Sequence, residues 1–292
     1  MIIFPLSNGA VAEKIVKSCK ATLGKIESKH FPDSEMYIRF IDEIKGKTVV
    51  LVQSTHPNPN ENLLELFFAG RTAKELGAAK VIGVVPYLCY MRQDKRFHNG
   101  ECVSNKMMAH LINHSLDKII TIDPHLHRVK NLAELFDIER EKITANEKIA
   151  EYVKKKFSAK DTLLVGPDIE SSQWAREIAN SIGFKSSIFL KTRFSSRHVK
   201  INVQNELDWR GKNVVIIDDI ISSGHTMLEA IAELKRRKAK SIHCICVHGI
   251  FAEKSFEKMK KAGAKTIVST NTIPHKSNGI DLSKLIAKSL EK

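Results

Sequence analysis

Long apolar runs are missing from this chain. Its uninterrupted hydrophobic stretches are strand-sized, well short of the roughly 20 residues a membrane-spanning helix needs. Paired cysteines are missing too. The five present (Cys19, Cys89, Cys102, Cys244, Cys246) are odd in number and contain no Cys-x-x-Cys, which argues against a disulfide framework and for reduced thiols. Cys244 and Cys246 alternate along an apparent strand and should share one face. No basic segment precedes the apolar Met1-Ile2-Ile3-Phe4, and Pro5 cuts it short, against a secretory signal. A cytoplasmic protein is expected. Pro/Ser-rich linkers and low-complexity stretches are also absent, and basic residues are not interleaved with aromatics as in single-strand nucleic-acid binders.

What is present is an ordinary globular composition: 292 residues, 42% hydrophobic and 27% charged, enough chain for two domains with separate cores. The net charge of +14 is carried in part by Lys154-Lys155-Lys156, Lys235-Arg236-Arg237 and Lys258, Lys260, Lys261. These clusters lie at the ends of amphipathic helical patterns, where cations complement the helix dipole. The charge is therefore expected to serve solubility and anionic substrates, with contact to a polyanion as the alternative; no membrane partner is expected.

Short apolar runs alternate with helical patterns from end to end. Strands are predicted at 2–6, 36–41, 48–53, 81–86, 119–122, 162–165, 187–190, 214–217, 242–247 and 266–269. Helices are predicted at 11–22, 61–76, 104–114, 146–157, 173–182, 227–237, 253–262 and 282–290. Alternation of this kind implies an α/β protein with parallel sheets flanked by helices. Lys74-Glu-Leu-Gly-Ala-Ala-Lys-Val-Ile-Gly and Lys261-Ala-Gly-Ala-Lys-Thr-Ile-Val-Ser share a helix-stop, turn, strand order, echoed by Arg237-Lys-Ala-Lys-Ser-Ile. Two similar halves in tandem are expected, joined near Glu141, as domains 1–141 and 142–292.

The stretch richest in chemistry is Asn213-Val-Val-Ile-Ile-Asp-Asp-Ile-Ile-Ser-Ser-Gly-His-Thr226. A β-branched run buried on both faces ends in two carboxylates, Asp218 and Asp219. The small-residue loop Ser222, Ser223, Gly224, His225, Thr226 then opens a helix predicted to begin near Met227. Backbone N–H groups, hydroxyls and a helix N-terminus gathered at one point make an anion site. Carboxylates repel phosphate, so the acid pair needs sugar hydroxyls or a bridging cation. The plain alternative is a polar strand end followed by a helix capped by Ser223. The whole string resembles the phosphoribosyl pyrophosphate motif of type I phosphoribosyltransferase folds.

Other segments also follow strands. Pro86-Tyr-Leu-Cys-Tyr-Met-Arg-Gln-Asp-Lys-Arg-Phe97 carries Arg92, Lys95 and Arg96 at a strand's carboxyl end, where open sheets bind ligands and arginine forks suit phosphate. Val165-Gly-Pro-Asp-Ile-Glu-Ser-Ser172 places Asp168 for a ribose hydroxyl or Mg²⁺. Thr121-Ile-Asp-Pro-His-Leu-His127 brings His125, His127 and Asp123 together, too few strong ligands for structural zinc. Leu190-Lys-Thr-Arg-Phe-Ser-Ser-Arg-His198 is a basic, hydroxyl-rich loop suited to closing over an anionic substrate. Phe31-Pro-Asp-Ser-Glu35 reads alone as a turn; its functional use would be base recognition, with Phe31 stacking on a purine.

Taken in order, these segments resemble the ribose-phosphate pyrophosphokinase family over nearly the whole chain. The likeness runs through Phe-x-Asp-x-Glu, Asn62-Leu-Leu-Glu-Leu66, Pro-Tyr-x-x-Tyr-x-Arg-Gln-Asp, Thr-Ile-Asp-x-His, Gly-Pro-Asp, the Lys-x-Arg loop and the Asp-Asp string. The resemblance implies two tandem type I phosphoribosyltransferase-like domains, a homo-oligomer, and the substrates ATP and ribose 5-phosphate with Mg²⁺. It implies that Phe31, Asp33 and Glu35 recognise adenine, reaching the site from a neighbouring subunit. Arg92, Gln93, Asp94 and His125 would hold ATP, its phosphates and Mg²⁺. Asp168 would meet ribose and metal, Asp218 and Asp219 the ribose hydroxyls, and Ser222, Ser223, Gly224, His225 and Thr226 the 5-phosphate. Lys191 and Arg193 would be the catalytic cations. Many family members carry an acid where this chain has Ser222 and a small residue where it has His225, so the family's regulation is not carried over. Lys191-Thr-Arg193 is nearer the archaeal-type pattern. The implied reaction is in-line attack of the sugar 1-hydroxyl on the β-phosphorus of MgATP, with AMP leaving. A phosphoribosyltransferase that consumes the product would leave Phe31 to Glu35 and Arg92 to Asp94 without a purpose. A non-catalytic or RNA-binding relative would be expected to lose the Lys-x-Arg pair or an acid.

Overall fold

The computed structural model describes residues 1–126, 129, 131–193, 199–204 and 207–292. They form two compact units. One comprises Met1–Thr144 with Thr272–Pro274 and Leu282–Lys292; the other comprises Ala145–Asn271 with His275–Asp281.

In the first unit the chain runs β1 (Ile2–Pro5), α1 (Gly9–Val16), β2 (Thr22–Leu23), β3 (Ile26–His30), β4 (Met36–Phe40), β5 (Thr48–Val52), α2 (Pro59–Glu75), β6 (Lys80–Val85), α3 (Ser104–Ser115), β7 (Lys118–Ile122) and β8 (Glu139–Ile143). Six strands form a parallel sheet in the order β2-β1-β5-β6-β7-β8. The central strands are β-branched runs buried on both faces, as parallel strands under helices must be. Helix α2 starts at Pro59, whose missing N–H costs nothing in a first turn, and buries Leu63, Leu66, Ala69 and Ala73 along one stripe. These pack with Phe4, Leu51, Ile112, Leu116 and Phe136 into one core.

Strands β3 and β4 stand outside that sheet as an antiparallel hairpin, in register from Ile26↔Phe40 to His30↔Met36. Its base is tied down: Phe40 packs edge-on against Phe4 with ring centres 4.9 Å apart, and Ser28 donates to Glu65 at 2.5 Å.

The second unit contains α4 (Asn146–Lys156), β9 (Thr162–Gly166), α5 (Ile169–Ile182), β10 (Lys185–Arg193), β11 (Val199–Gln204), β12 (Asn213–Ile221), α6 (His225–Arg236), β13 (Ser241–Gly249), α7 (Ser255–Ala262), β14 (Ala264–Thr270) and β15 (Asn278–Ile280). Its sheet runs β11-β10-β9-β12-β13-β14-β15, parallel except where β11 pairs antiparallel with β10. Val165, Phe189, Val214, Ile216, Ile231 and Leu234 belong to its core, as do Cys244 and Cys246. Both thiols are free and buried, and burial pushes both well above the ordinary thiol range. The final helix, α8 (Ser283–Leu290), buries Ile286 and Ala287 and belongs to the first unit. There Lys292 reaches Glu141 at 3.0 Å, which also pairs with Lys118 at 3.2 Å. Among the described residues no helix is long and apolar enough to cross a membrane.

The α/β alternation expected from the periodicity is present, and three differences bear on the site. β12 continues through the acids to Ile221, because its pairing with β13 extends from Asp218↔Cys246 to Ile221↔Gly249. α6 begins at His225 and its N-cap is Gly224, not Ser223. Lys191 and Arg193 lie within β10, opposite Ile201 and Val199 of β11, instead of past the strand's end. Ser195 and Ser196 lie outside the described residues.

Candidate functional site

The chain order 9-10 and 9-12 on either side of β9 makes the gap between β9 and β12 the point where the sheet's connections change direction. Ligands of open α/β sheets sit beyond the carboxyl ends of the strands at such a point. Three carboxylates and one small-residue loop are found there.

Asp218 is only 7% exposed. Its Oδ1 accepts from the Asp219 N–H at 3.0 Å, and Asp219 in turn accepts from the Ile220 N–H at 2.8 Å. Burial holds the Asp218 carboxyl well above the usual range, and the charges of Asp219 and Asp168 push it further in the same direction. A buried carboxyl with two further carboxylates beside it makes a site that gains from hydroxyl donors or a cation.

Asp168 reaches the group through a different device. Gly166 ends β9 so close to α5 that a Cβ there would lie 2.8 Å from the Ser172 Cα, so only glycine lets the chain turn. Asp168 then caps α5: its Oδ1 accepts from the Ser171 N–H at 2.9 Å and hydroxyl at 2.6 Å, while Ser171 Oγ accepts from the Asp168 N–H at 3.3 Å. Helix start and candidate ligand group are thus the same side chain.

Beyond β12, Ser222 and Ser223 are half-buried, His225 is exposed and Thr226 is half-buried. Gly224 adopts a left-handed φ of 76° and caps α6 without a side-chain hydrogen bond to the first turn. The first N–H groups of a helix have no partners within it, and here no side chain caps them, which is the local requirement for anion binding. His225 Nδ1 lies 2.9 Å from the Ser223 hydroxyl, so these two side chains are organised at the loop's surface.

The residues assigned to the nucleotide lie in the first unit, on three separate segments. Phe31, Asp33 and Glu35 form the tip of the β3–β4 hairpin and are all exposed. The tip is closed by the Phe31 N–H to the Glu35 carbonyl at 2.8 Å, the Ser34 N–H to the Phe31 carbonyl at 2.9 Å, and the Glu35 N–H to Asp33 Oδ1 at 3.1 Å. The Phe31 ring, 46% exposed, meets Tyr37 edge-on at 5.7 Å, leaving it available for stacking. Arg92, Gln93 and Asp94 belong to the irregular segment after β6; Arg92 is exposed and Gln93 is fixed by the Ser104 hydroxyl at 2.7 Å. His125, half-buried, follows β7, just beyond the buried Asp123 with its positive φ of 34°. His127 lies outside the described residues, and among those described no group of three or more His, Cys, Asp or Glu is gathered to hold a metal.

One part of this arrangement has no signature in the linear motifs. After β13 the chain returns to the phosphate-type loop: the Ile250 and Phe251 N–H groups both donate to the Ile221 carbonyl at 3.0 Å, and Ser255 Oγ donates to the Ser222 carbonyl at 2.7 Å. Phe251, Glu253 and Lys254 all have positive φ there, a conformation the residue types do not advertise.

Comparison with known proteins agrees with this geometry. Residues 1–115 match the family model described as the N-terminal domain of ribose phosphate pyrophosphokinase, and residues 131–284 match the phosphoribosyl transferase domain. A protein named ribose-phosphate pyrophosphokinase from Methanobrevibacter smithii is 37% identical over 301 residues, covering 99% of each chain. One of the same name from Methanopyrus kandleri is 33% identical over 292 residues, covering 100% of this chain and 99% of its own. The crystal structure of phosphoribosylpyrophosphate synthetase from Mycobacterium smegmatis superposes with a TM-score of 0.87 at 23% identity, over 100% of this chain and 97% of that one, a likeness of fold.

Proposed function

Since the chain belongs to the ribose-phosphate pyrophosphokinase family, we propose that it transfers the diphosphoryl group of ATP to the 1-hydroxyl of ribose 5-phosphate. The products are 5-phosphoribosyl 1-pyrophosphate and AMP. The observation that carries this reading is the pairing, at one strand end, of an uncapped helix N-terminus with the carboxylates Asp168, Asp218 and Asp219. The N–H groups and hydroxyls of Ser222 to Thr226 suit a 5-phosphate; the acids suit the sugar's hydroxyls, which a phosphate-only site would not need.

The transferred group passes through a state with charge spread over its oxygens, and catalysis of such transfers is mainly positioning and charge neutralisation. Lys191 and Arg193, both on β10, supply the cations in this reading. Arg92, Gln93, Asp94 and His125 bind the ATP phosphates, and Phe31, Asp33 and Glu35 take the adenine, the ring by stacking and the carboxylates by accepting from its amine. Asp218 accepts from a ribose hydroxyl with the Asp219 N–H already satisfied at its other face. Magnesium, whose preferred ligands are carboxylate, phosphate and water oxygens, would be held by Asp168 beside the ribose in the second unit and, with the ATP phosphates it neutralises, by His125 in the first. The three neighbouring carboxylates of the second unit, with Asp218 raised by burial and by its acidic neighbours, fit such a cation, and a cation that keeps several waters needs no all-protein cage. ATP and ribose 5-phosphate are the partners in this reading, together with further copies of this chain, and the cytoplasm is its setting.

The test is product identity. With Mg²⁺, ATP and ribose 5-phosphate, AMP should accumulate in step with the phosphoribosyl product. ADP as the nucleotide product would mean a simple phosphoryl transfer and overturn the reading.

A further inference from the structure

We propose that Ser255, which lies outside every motif of the site, is a positioning residue for the ribose 5-phosphate loop. This rests on the reading of residues 222–226 as the 5-phosphate cradle. Ser255 opens α7, a place where a hydroxyl commonly serves its own helix. Here it does not: the N-cap is Lys254, no side chain caps the helix, and the Ser255 Oγ instead donates to the Ser222 carbonyl at 2.7 Å. The residue is fully buried.

The consequence follows from peptide geometry. In a trans peptide the carbonyl of one residue and the N–H of the next point in opposite directions. Holding the Ser222 oxygen toward Ser255 therefore aims the Ser223 N–H the other way, out of the packed side of the loop. The preceding carbonyl, Ile221, is held from the same returning segment by two backbone donors, Ile250 and Phe251. Two successive carbonyls are thus turned toward residues 250–255, and the N–H groups that follow them are aimed away from that segment, the form of an anion-binding nest.

Packing sets the same direction. Gly224 lies against Ser255 so tightly that a Cβ on it would come within 2.8 Å of Ser255 Cβ and 3.6 Å of its Oγ. The turn that delivers Ser255 contains Phe251, Glu253 and Lys254 at φ of 50°, 54° and 60°, costly for non-glycine residues and retained only where surroundings enforce it. The strained turn and the buried hydroxyl support one loop.

The test compares ribose 5-phosphate with ATP in the full-length enzyme. Ser255→Ala should raise the KM for ribose 5-phosphate about tenfold while the KM for ATP stays within twofold. Ser255→Cys, close in volume but a weaker donor, should fall between wild type and Ser255→Ala. Both KM values rising together would indicate general damage, and neither rising would indicate no role; either result overturns the assignment. So does a loss in Ser255→Cys as large as in Ser255→Ala, which would make packing responsible. Calorimetry on wild type with ribose 5-phosphate and with ribose separates this inference from its premise. If wild type does not prefer the phosphorylated sugar, the cradle reading itself fails; if it does and Ser255→Ala keeps the preference, only Ser255 is misassigned.

Discussion

Each sheet has a point where its connections reverse, and the two are used differently. In the first unit the gap lies between β1 and β5 and is filled by the protein itself. Ser7 Oγ donates to the Ser54 carbonyl at 3.0 Å and accepts from the Ser54 N–H at 2.9 Å, and the Ser54 hydroxyl donates to the Thr272 carbonyl. Ser54 is fully buried as a result. In the second unit the corresponding gap, between β9 and β12, holds Asp168 and Asp218, and the charges of Asp168 and Asp219 add to burial in raising the Asp218 carboxyl. Topology offers a crevice in both places; one is closed by hydrogen bonds within the chain, the other is lined by carboxylates and the start of a helix capped by no side chain. The candidate nucleotide residues of the first unit accordingly sit elsewhere, after β6, after β7 and on an exposed hairpin.

The comparison can be broken most forcefully from outside both crevices. If Lys191 acts on the transferring group, Lys191→Ala should lower kcat by about 10³, comparable to other cations in phosphoryl transfer, with substrate binding little changed. Steady-state kinetics within about threefold of wild type for both Lys191→Ala and Arg193→Ala would remove the β10 cations from the mechanism.

The acid pair gives the next largest effect and separates its two members. Asp219→Asn should weaken ribose 5-phosphate binding roughly 10- to 150-fold, the worth of a charged hydrogen bond of about 1.5–3 kcal/mol. Asp218→Asn should weaken it too and at the same time stabilise the fold. The folded-state pKa of Asp218 is raised, so its contribution favours folding below the unfolded value and is lost as pH rises through the folded one. The melting advantage of Asp218→Asn should therefore be a few degrees near pH 7.5 and shrink toward pH 4.5. Calorimetry showing unchanged sugar affinity, or a gain that grows on acidification, would contradict this account.

Smaller effects belong to the first unit. Phe31→Ala should raise the KM for ATP about tenfold, since base–aromatic stacking is worth about 1–3 kcal/mol. Its melting temperature should not move, because the ring is exposed. Ser54→Ala should do the reverse: lose about 1–3 kcal/mol of stability by stranding buried polar groups while leaving the ribose 5-phosphate KM unchanged. A change in that KM would mean the filled crevice is not merely structural.

How much of this was visible in the linear pattern differs by element. The interior strands β5, β6, β7, β9, β12 and β13 announce themselves as β-branched runs because parallel strands are buried on both faces. The strands that escaped notice, β2, β8, β11 and β15, are edges of the two sheets, and β3 is half of an isolated hairpin. Glu139-Arg-Glu-Lys-Ile143 and Ile26-Glu-Ser-Lys-His30 carry charges such edges tolerate and even favour, so no apolar signal marks them.

The α/β alternation and the acid-pair, small-residue-loop, helix order at Asp218 to Thr226 are written in the linear pattern, because those features depend on neighbours a few residues apart. Tertiary structure alone decided that Asp168 joins the acid pair, that α8 returns to the first unit, that one crevice is filled by Ser54 and Thr272, and that Ser255 holds the loop from 33 residues away. Backbone carbonyls carry no sequence signature, and the donors that satisfy them are chosen by proximity in the folded chain.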